Sequence, residues 1–321
     1  MSVTIKDVAK YANVGVGTVS RVLNGGSVNI DTKNTVMQAI SDLQFTPNVT
    51  AHRLRKNRTG VIAVLVPIIN HPFFSEFLEV VEDEAEKYGW SVIVVSSQQK
   101  IDKEKSIVDR IKRKEIDGAI FVTHYRHDEA ELAGCPLVSI DRPLTSDIPY
   151  VTSDNYEATV NALEYLYSRG CKKIGYVGSK PIVKSEVTER ERAYLDTVKK
   201  HGCEPRIVNE VIIHGDERKV VDEFFTDYPD VDAIFAAGYT MAQTTLTAAG
   251  EKGYKVPEDL QIIAYDGSFS KWSLNSLTAV EQPISDMAKT IVKLLSDVIE
   301  GKPSATRTVL SSRLVIGGTT K

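Results

Sequence analysis

From position 60 onward the chain repeats one unit: a short apolar run bounded by turn residues, then an amphipathic segment of helical length. The runs are VIAVLVP (61–67), SVIVVSS (91–97), GAIFVTH (118–124), PLVSID (136–141), KIGYVGS (173–179), EVIIHG (210–215), DAIFAAG (232–238) and LQIIAYDG (260–267). A strand that is apolar throughout needs cover on both faces, which a parallel sheet between helices supplies. The alternation therefore predicts an α/β core of doubly wound parallel sheets. The span 60–321 is longer than one such lobe needs, so two lobes are expected, with ligands binding at the carboxyl ends of the strands.

The first sixty residues follow a different rule. Thr4-Ile5-Lys6-Asp7 has the spacing of a helix cap followed by an acidic third residue, and predicts a helix from Ile5. Ile5, Val8, Ala9 and Ala12 give that helix one apolar face. Asn13-Val14-Gly15 reads as a turn. Thr18–Leu23 resumes a helix with Val19, Val22 and Leu23 inward, and Asn24-Gly25-Gly26 stops it. Asn29 can cap a third helix from about Ile30 to Leu43, with Val36, Ala39, Ile40 and Leu43 on its apolar side. Helix, turn, helix, loop, helix is the helix-turn-helix arrangement. Gly15-Val16-Gly17 admits a rival reading as a phosphate-cradling loop. That loop needs a strand before its first glycine and a small third residue where Ser20 stands; here a helix precedes it and no strand follows before position 60.

Charge separates the same two regions. Residues 1–60 carry a formal charge of +5 and the remainder −9, a basic head on an acidic body, as expected of a polyanion-binding module joined to something else. With 42% hydrophobic and 26% charged residues the composition is that of a globular protein. No apolar run approaches the roughly 20 residues of a membrane span, and the N-terminus lacks the apolar stretch of a signal peptide. Cys135, Cys171 and Cys203 lie far apart and read as reduced thiols of a cytoplasmic protein. The six histidines form no metal-binding pair, and no nucleophile, base or phosphate-loop motif stands out. No catalytic residue, cofactor or metal is expected. The runs EVVEDEAEKYG and DKEKSIVDRIKRKE read as solvated helix faces.

In the helix-turn-helix reading Thr18, Ser20 and Asn24 are short polar groups able to hold phosphates and fix register. Arg21 is long enough for a base edge or a phosphate, and Val16 and Gly17 meet the major groove without hydrogen-bonding side chains. Thr46-Pro47-Asn48 ends the head, because proline disfavours continuing the third helix. Asn48–Lys56 can form a two-turn helix, marginal alone in water, whose Arg53, Arg55, Lys56 and the nearby Arg58 favour a phosphate backbone.

TIKDVAKYANVGVGTVSRVLNG, followed by FTPNVTAHRLRKNRTGVIAVLVP, resembles the head and hinge of the lactose/galactose-repressor family. Caps, turn, Thr-Val-Ser-Arg-Val core and the Pro-Asn-x-x-Ala-x-x-Leu hinge all keep their spacing. The resemblance covers essentially the whole chain and implies a periplasmic-binding-protein-like two-lobed core behind an all-α head. It implies a head at 1–46, a hinge at 47–59, and a core at 60–321. The core's lobes are expected at about 60–158 with 284–312 and 159–283 with 313–321. It also implies that the hinge folds in the minor groove with Leu54 as a wedge between base steps. Gly15 and Gly17 depart from the family, which usually places serine or another polar residue there. The segment SIDRPLTSDIPYVTSDNYEA resembles the sucrose-operon-repressor branch.

For the core, strand-end polar groups suit a polyol: Asp266 closes IIAYDG, Asp154 closes YVTSDN, and Arg190 opens ERERAYLDTV, close to the family's R-x-x-G-[FY] signature. Phe73 and Phe74, in NHPFFSEF, can supply an apolar wall. Asp141-Arg142 reads as a structural pair or rim. Gly238-Tyr239 stands where relatives commonly have Asn-Asp, so a polar contact is exchanged for an aromatic hydroxyl. The expectation is a homodimeric repressor on a near-palindromic duplex operator, controlled by a sugar or sugar phosphate. The ending SSRLVIGGTTK, with no heptad tail, points to a dimer rather than a tetramer. A sugar-binding protein without a DNA target is the alternative, against which the intact head weighs.

Overall fold

The structure is a computed structural model that describes residues 3–23, 26–45, 58–98, 100–211, 215–267 and 277–321. Asn24 and the hinge residues Asn48, Arg53, Leu54 and Arg55 lie outside the described residues. The chain divides into two compact units, Met1–Thr59 and Gly60–Lys321.

The first unit contains α1 (Ile5–Tyr11), α2 (Val16–Leu23) and α3 (Ile30–Asp42). The Asp7 carboxylate accepts from both the backbone nitrogen (2.9 Å) and the hydroxyl (2.7 Å) of Thr4, closing the first turn of α1. Asn13 takes a left-handed φ of 53°, as asparagine tolerates, and the following Val14 N–H bonds back to the Ala9 carbonyl. Asn29 caps α3 by accepting from Asp31 N at 2.9 Å. Val8, Ala9 and Ala12 of the first helix and turn meet Val19 and Val22 of α2, Val36 and Ala39 of α3, and Phe45 in one core.

The second unit is two three-layer α/β/α lobes. The lobe-1 sheet runs β2 (Ser91–Ser96), β1 (Val61–Val66), β3 (Gly118–Phe121), β4 (Leu137–Ile140), β5 (Tyr150–Ser153), β11 (Arg307–Leu310), all parallel. Helices α4 (Pro72–Lys87) and α11 (Ile284–Ile299) cover one face, and α5 (Ile101–Lys112) and α6 (Glu129–Leu132) the other. The lobe-2 sheet runs β7 (Arg206–Glu210), β6 (Ile174–Ser179), β8 (Ala233–Ala236), β9 (Gln261–Tyr265), β10 (Thr278–Glu281), β12 (Arg313–Val315), with only β12 antiparallel. Its faces are covered by α9 (Glu217–Asp227) with α10 (Tyr239–Glu251), and by α7 (Asn155–Ser168) with α8 (Thr188–Lys200). The chain crosses between lobes at 153–155, 281–284 and 310–313.

Two expectations change. An unexpected strand lies at Arg206–Glu210, paired in register with Gly175–Ser179, and residues 212–214 of the expected EVIIHG run lie outside the described residues. As an edge strand it is only half covered, so its sequence, RIVNE, is polar enough to escape a search for apolar runs. The run DKEKSIVDRIKRKE is not wholly a solvated face: Glu104 is fully buried, accepting from the Thr123 hydroxyl at 2.6 Å and lying 2.5 Å from Nε2 of His127. The β10, β11 and β12 strands, three or four residues each, were not foreseen as apolar runs.

A buried carboxylate deprived of its partners is an uncompensated charge. His127→Ala is expected to destabilise lobe 1 by about 3 kcal/mol, while a joint Glu104→Met, His127→Leu replacement recovers most of that loss. Urea denaturation followed by circular dichroism checks both; equal loss in the two variants would show that packing, not charge pairing, sets the effect.

Candidate functional site

In the first unit, α2 presents Val16 (40% exposed), Gly17 and Arg21 to solvent, with Thr18 and Ser20 half-buried and Val19 and Val22 turned inward. Thr4 is exposed at the start of α1. The Gly15 carbonyl accepts from Thr18 N (2.8 Å) and Val19 N (3.2 Å), and glycine has no side chain with which to cap the helix. The first turn of α2 carries no acidic residue, so its N–H dipoles face outward without a competing negative charge, an arrangement that suits phosphate. The outward face of α2 is thus apolar at its front and cationic at its end.

In the second unit the carboxyl ends of the strands of the two lobes face each other, with Glu186 N donating to the Asp141 carbonyl, the Ser153 hydroxyl meeting Tyr265 OH and His71 meeting Tyr239, the place where such folds bind ligands. Arg190, in the first turn of α8, is only 4% exposed. Its Nε donates to Asn155 Oδ1 at 2.7 Å, its Nη1 to the Ala237 carbonyl at 2.9 Å, and its plane lies 3.4 Å from the centroid of the Tyr265 ring. These contacts leave Nη2 as the guanidinium nitrogen available to a ligand. Asp266 follows β9 with a left-handed φ of 65°, and Gln282 Nε2 donates to its Oδ1 at 2.6 Å. A Cβ on the next residue, Gly267, would run into the Ala279 methyl, so only glycine lets β10 approach the strand end this closely.

Asp141, read from sequence as half of a structural pair with Arg142, is not paired with it. Asp141 ends β4 with a φ of 62°, nearly that of Asp266, and accepts from the Thr152 hydroxyl at 2.8 Å. Burial pushes its carboxyl up to about 6; Arg190 and Thr152 oppose the rise, and the charges of Asp266 and Glu186 reinforce it. Arg142 is instead buried within electrostatic reach of Glu104. PLVSID and IIAYD carry the same signal, a short apolar strand ending in aspartate, and the structure gives Asp141 and Asp266 the same backbone conformation.

The remaining sequence-derived residues are dispersed. Asp154 Oδ1 accepts from Ser312 N at 2.7 Å, tying one lobe crossing to another. Phe73 is 4% exposed, stacked with Phe77 in the lobe-1 core. Phe74 is half-buried and lies 5.3 Å from the His71 ring, which in turn meets Tyr239 of lobe 2. The lobes are also joined by Glu186, which accepts from Tyr150 OH (2.7 Å) and from Arg307 Nε and Nη2 (2.9 and 3.1 Å). The Arg307 hydrogen bonds, aided by Tyr150 and opposed by burial, hold the Glu186 carboxyl below its ordinary value.

No helix among the described residues is long and apolar enough to cross a membrane. Among the same residues no cluster of three or more His, Cys, Asp or Glu side chains is placed to hold a metal ion.

A helix-turn-helix head on a two-lobed, strand-end ligand cleft defines a DNA-binding regulator with a ligand-responsive core. The chain matches the model for bacterial regulatory proteins of the lacI family over residues 4–48 and that for a periplasmic binding protein-like domain over 163–320. It is 36% identical to the ribose operon repressor of Halalkalibacterium halodurans, over 99% of this chain and 97% of that protein. It is 30% identical to the sucrose operon repressor of Streptococcus mutans, over 99% of each. A structure of the lac repressor dimer bound to operator and the anti-inducer ONPF superposes with a TM-score of 0.82 at 22% identity, covering 100% of this chain and 99% of that one. The chain belongs to the lacI family of bacterial transcriptional regulators.

Since the folded Asp141 pKa lies above the ordinary carboxylate value, this group favours the fold at low pH, and that contribution is lost as pH rises from about 4 through about 6. Asp141→Asn keeps the Thr152 contact and the left-handed conformation. It is expected to be more stable than the wild type by about 1–2 kcal/mol at pH 7.5, with the difference vanishing near pH 4. Thermal melts across pH check this; a constant offset would contradict it.

Proposed function

We propose that this protein is a cytoplasmic repressor of carbohydrate-utilisation genes, binding a near-palindromic duplex operator as a homodimer under control of a sugar or sugar phosphate. The observation that carries the effector reading is that Asp141 and Asp266 follow strands of opposite lobes in the same left-handed conformation, with Arg190 and Asp266 both within electrostatic reach of Asp141. Carboxylates accept from vicinal hydroxyls while a guanidinium donates, and ligand bridging between lobes favours closure. Phe74 and, behind it, Phe73 form the apolar wall, and Asp154 fixes the crossing beneath. The relatives named for ribose and sucrose operons support a carbohydrate effector, and the operator-bound lac repressor dimer supports two-fold binding. The domain limits follow the same reading: head at 1–46, hinge at 47–59, two-lobed core beyond.

On DNA, Val16 packs against a thymine methyl, Arg21 reads a base edge or phosphate, and Thr4, Gly17, Thr18, Ser20 and Asn24 line the backbone. Asn48, Arg53, Leu54 and Arg55 act from the hinge in the minor groove. The test is selection of duplexes from a random pool, followed by mobility shift at graded salt. The reading predicts a near-palindromic consensus whose affinity falls steeply with salt, and relaxed base preference in Val16→Ala and Arg21→Ala, each costing about 1–3 kcal/mol. Binding without sequence preference would sink it.

A further inference from the structure

The loop between β6 and α8, residues 180–187, leaves lobe 2 and lies against a part of lobe 1 that no helix of lobe 1 covers. On the face of the lobe-1 sheet that carries α5 and α6, the apolar cluster draws on β1, β3 and β4, and among the described residues it includes none from β5 or β11. Val151 packs on the opposite face, with α4 and α11, so its neighbour Tyr150 points to the uncovered one. Arg307 is the register partner of Tyr150 on β11.

Glu186, near the end of the loop, occupies this place. Its Oε1 accepts from Tyr150 OH at 2.7 Å and from Arg307 Nε at 2.9 Å, and its Oε2 from Arg307 Nη2 at 3.1 Å. Its backbone nitrogen donates to the Asp141 carbonyl at 2.8 Å. One residue of lobe 2 is thus held by three residues of lobe 1, with the guanidinium in the two-pronged geometry that carboxylates favour.

Position separates this contact from the ligand cleft. Tyr150 and Arg307 begin β5 and β11, whereas the lobe crossings leave the other ends of those strands, after Ser153 and Leu310. Three residue steps at about 3.3 Å each put roughly 10 Å between the ion pair and the crossings. The Arg307 side chain is 51% exposed and that of Glu186 19%, so the pair sits on the outer edge of the lobe and not inside the cleft. With the crossings as hinge, a rotation of about 15° moves a point that far away by roughly 2.5 Å, enough to part these hydrogen bonds.

We infer that the Glu186 loop is a latch that holds the lobes together from outside the ligand cleft. Closure then does not depend on the ligand alone: the ion pair sets the closed population that a ligand meets, and its loss shifts that population before any ligand is added. The inference is independent of which ligand the cleft takes.

Hydrogen–deuterium exchange of the full chain, followed by mass spectrometry with no ligand added, tests this in wild type, Glu186→Gln, Arg307→Gln and the double variant. Three regions are read: the latch (146–153 and 180–190), the opposite end of the cleft where His71 meets Tyr239 (68–75 and 237–243), and the lobe cores (61–66 and 261–265). The expected result in each single variant is exchange at least fivefold faster at the latch and at the opposite end, with the cores within twofold of wild type. The double variant should stay within twofold of the faster single, as two halves of one contact require. The opposite end lies in elements the ion pair does not touch, so its response separates lobe opening from local loosening of the loop. Faster exchange at the latch alone, equal acceleration of the cores, a double variant showing the product of the two single effects, or no change in any region would each overturn the latch.

Discussion

The ligand cleft is organised by one desolvated cation. Arg190 is held by an amide oxygen, a backbone carbonyl and the face of a tyrosine, which together replace the water it has lost. Each partner sits at a structural junction: Asn155 begins the helix after the first lobe crossing, Ala237 follows β8, and Tyr265 ends β9. The guanidinium therefore fixes α7, α8 and two strand ends relative to one another. Two of its three nitrogens are engaged in doing so, which leaves the N–H groups of Nη2 to a ligand, within electrostatic reach of Asp141.

Around that centre the lobes are joined by contacts that depend on their relative position. Glu186 reaches from lobe 2 to Tyr150 and Arg307 of lobe 1, its backbone nitrogen donates to the Asp141 carbonyl, and the Ser153 hydroxyl meets Tyr265. Burial first, and the charges of Asp266 and Glu186 after it, raise the cost of ionising Asp141. Closure thus gains a set of hydrogen bonds and meets carboxylate repulsion, which hydroxyl donors from a ligand relieve. A ligand that acts on this balance shifts the population of closed lobes by its differential affinity and by nothing else.

Local signals were legible in the sequence and long-range ones were not. The Thr4 and Asn29 caps, the Asn13 turn and the buried strands such as Val61–Val66 are determined within a few residues, and the structure has them where the sequence puts them. β7 was not read as a strand because an edge strand carries a weaker apolar pattern. Glu104 was read as solvated because its partners, Thr123 and His127, are 19 and 23 residues away. Arg190 and Asp266 were singled out from strand-end position and motif. Asp141 was read as a structural pair with Arg142 or as rim because the two are neighbours in sequence, whereas the fold turns their side chains to different surroundings. The Gly238-Tyr239 departure was visible in the sequence, but its meeting with His71, from the other lobe, was not.

The central claim is that head and cleft share one conformational equilibrium. Thermodynamic linkage requires that an effector changing operator affinity by some factor have its own affinity changed by operator by the same factor. The direct measurement is a pair of titrations on one preparation: fluorescence anisotropy of a selected operator duplex with and without saturating sugar, and calorimetric sugar binding with and without saturating operator. The account predicts a change of at least fivefold in operator affinity, with the reciprocal factor matching within error. Operator affinity indifferent to a sugar that demonstrably binds the cleft would contradict it.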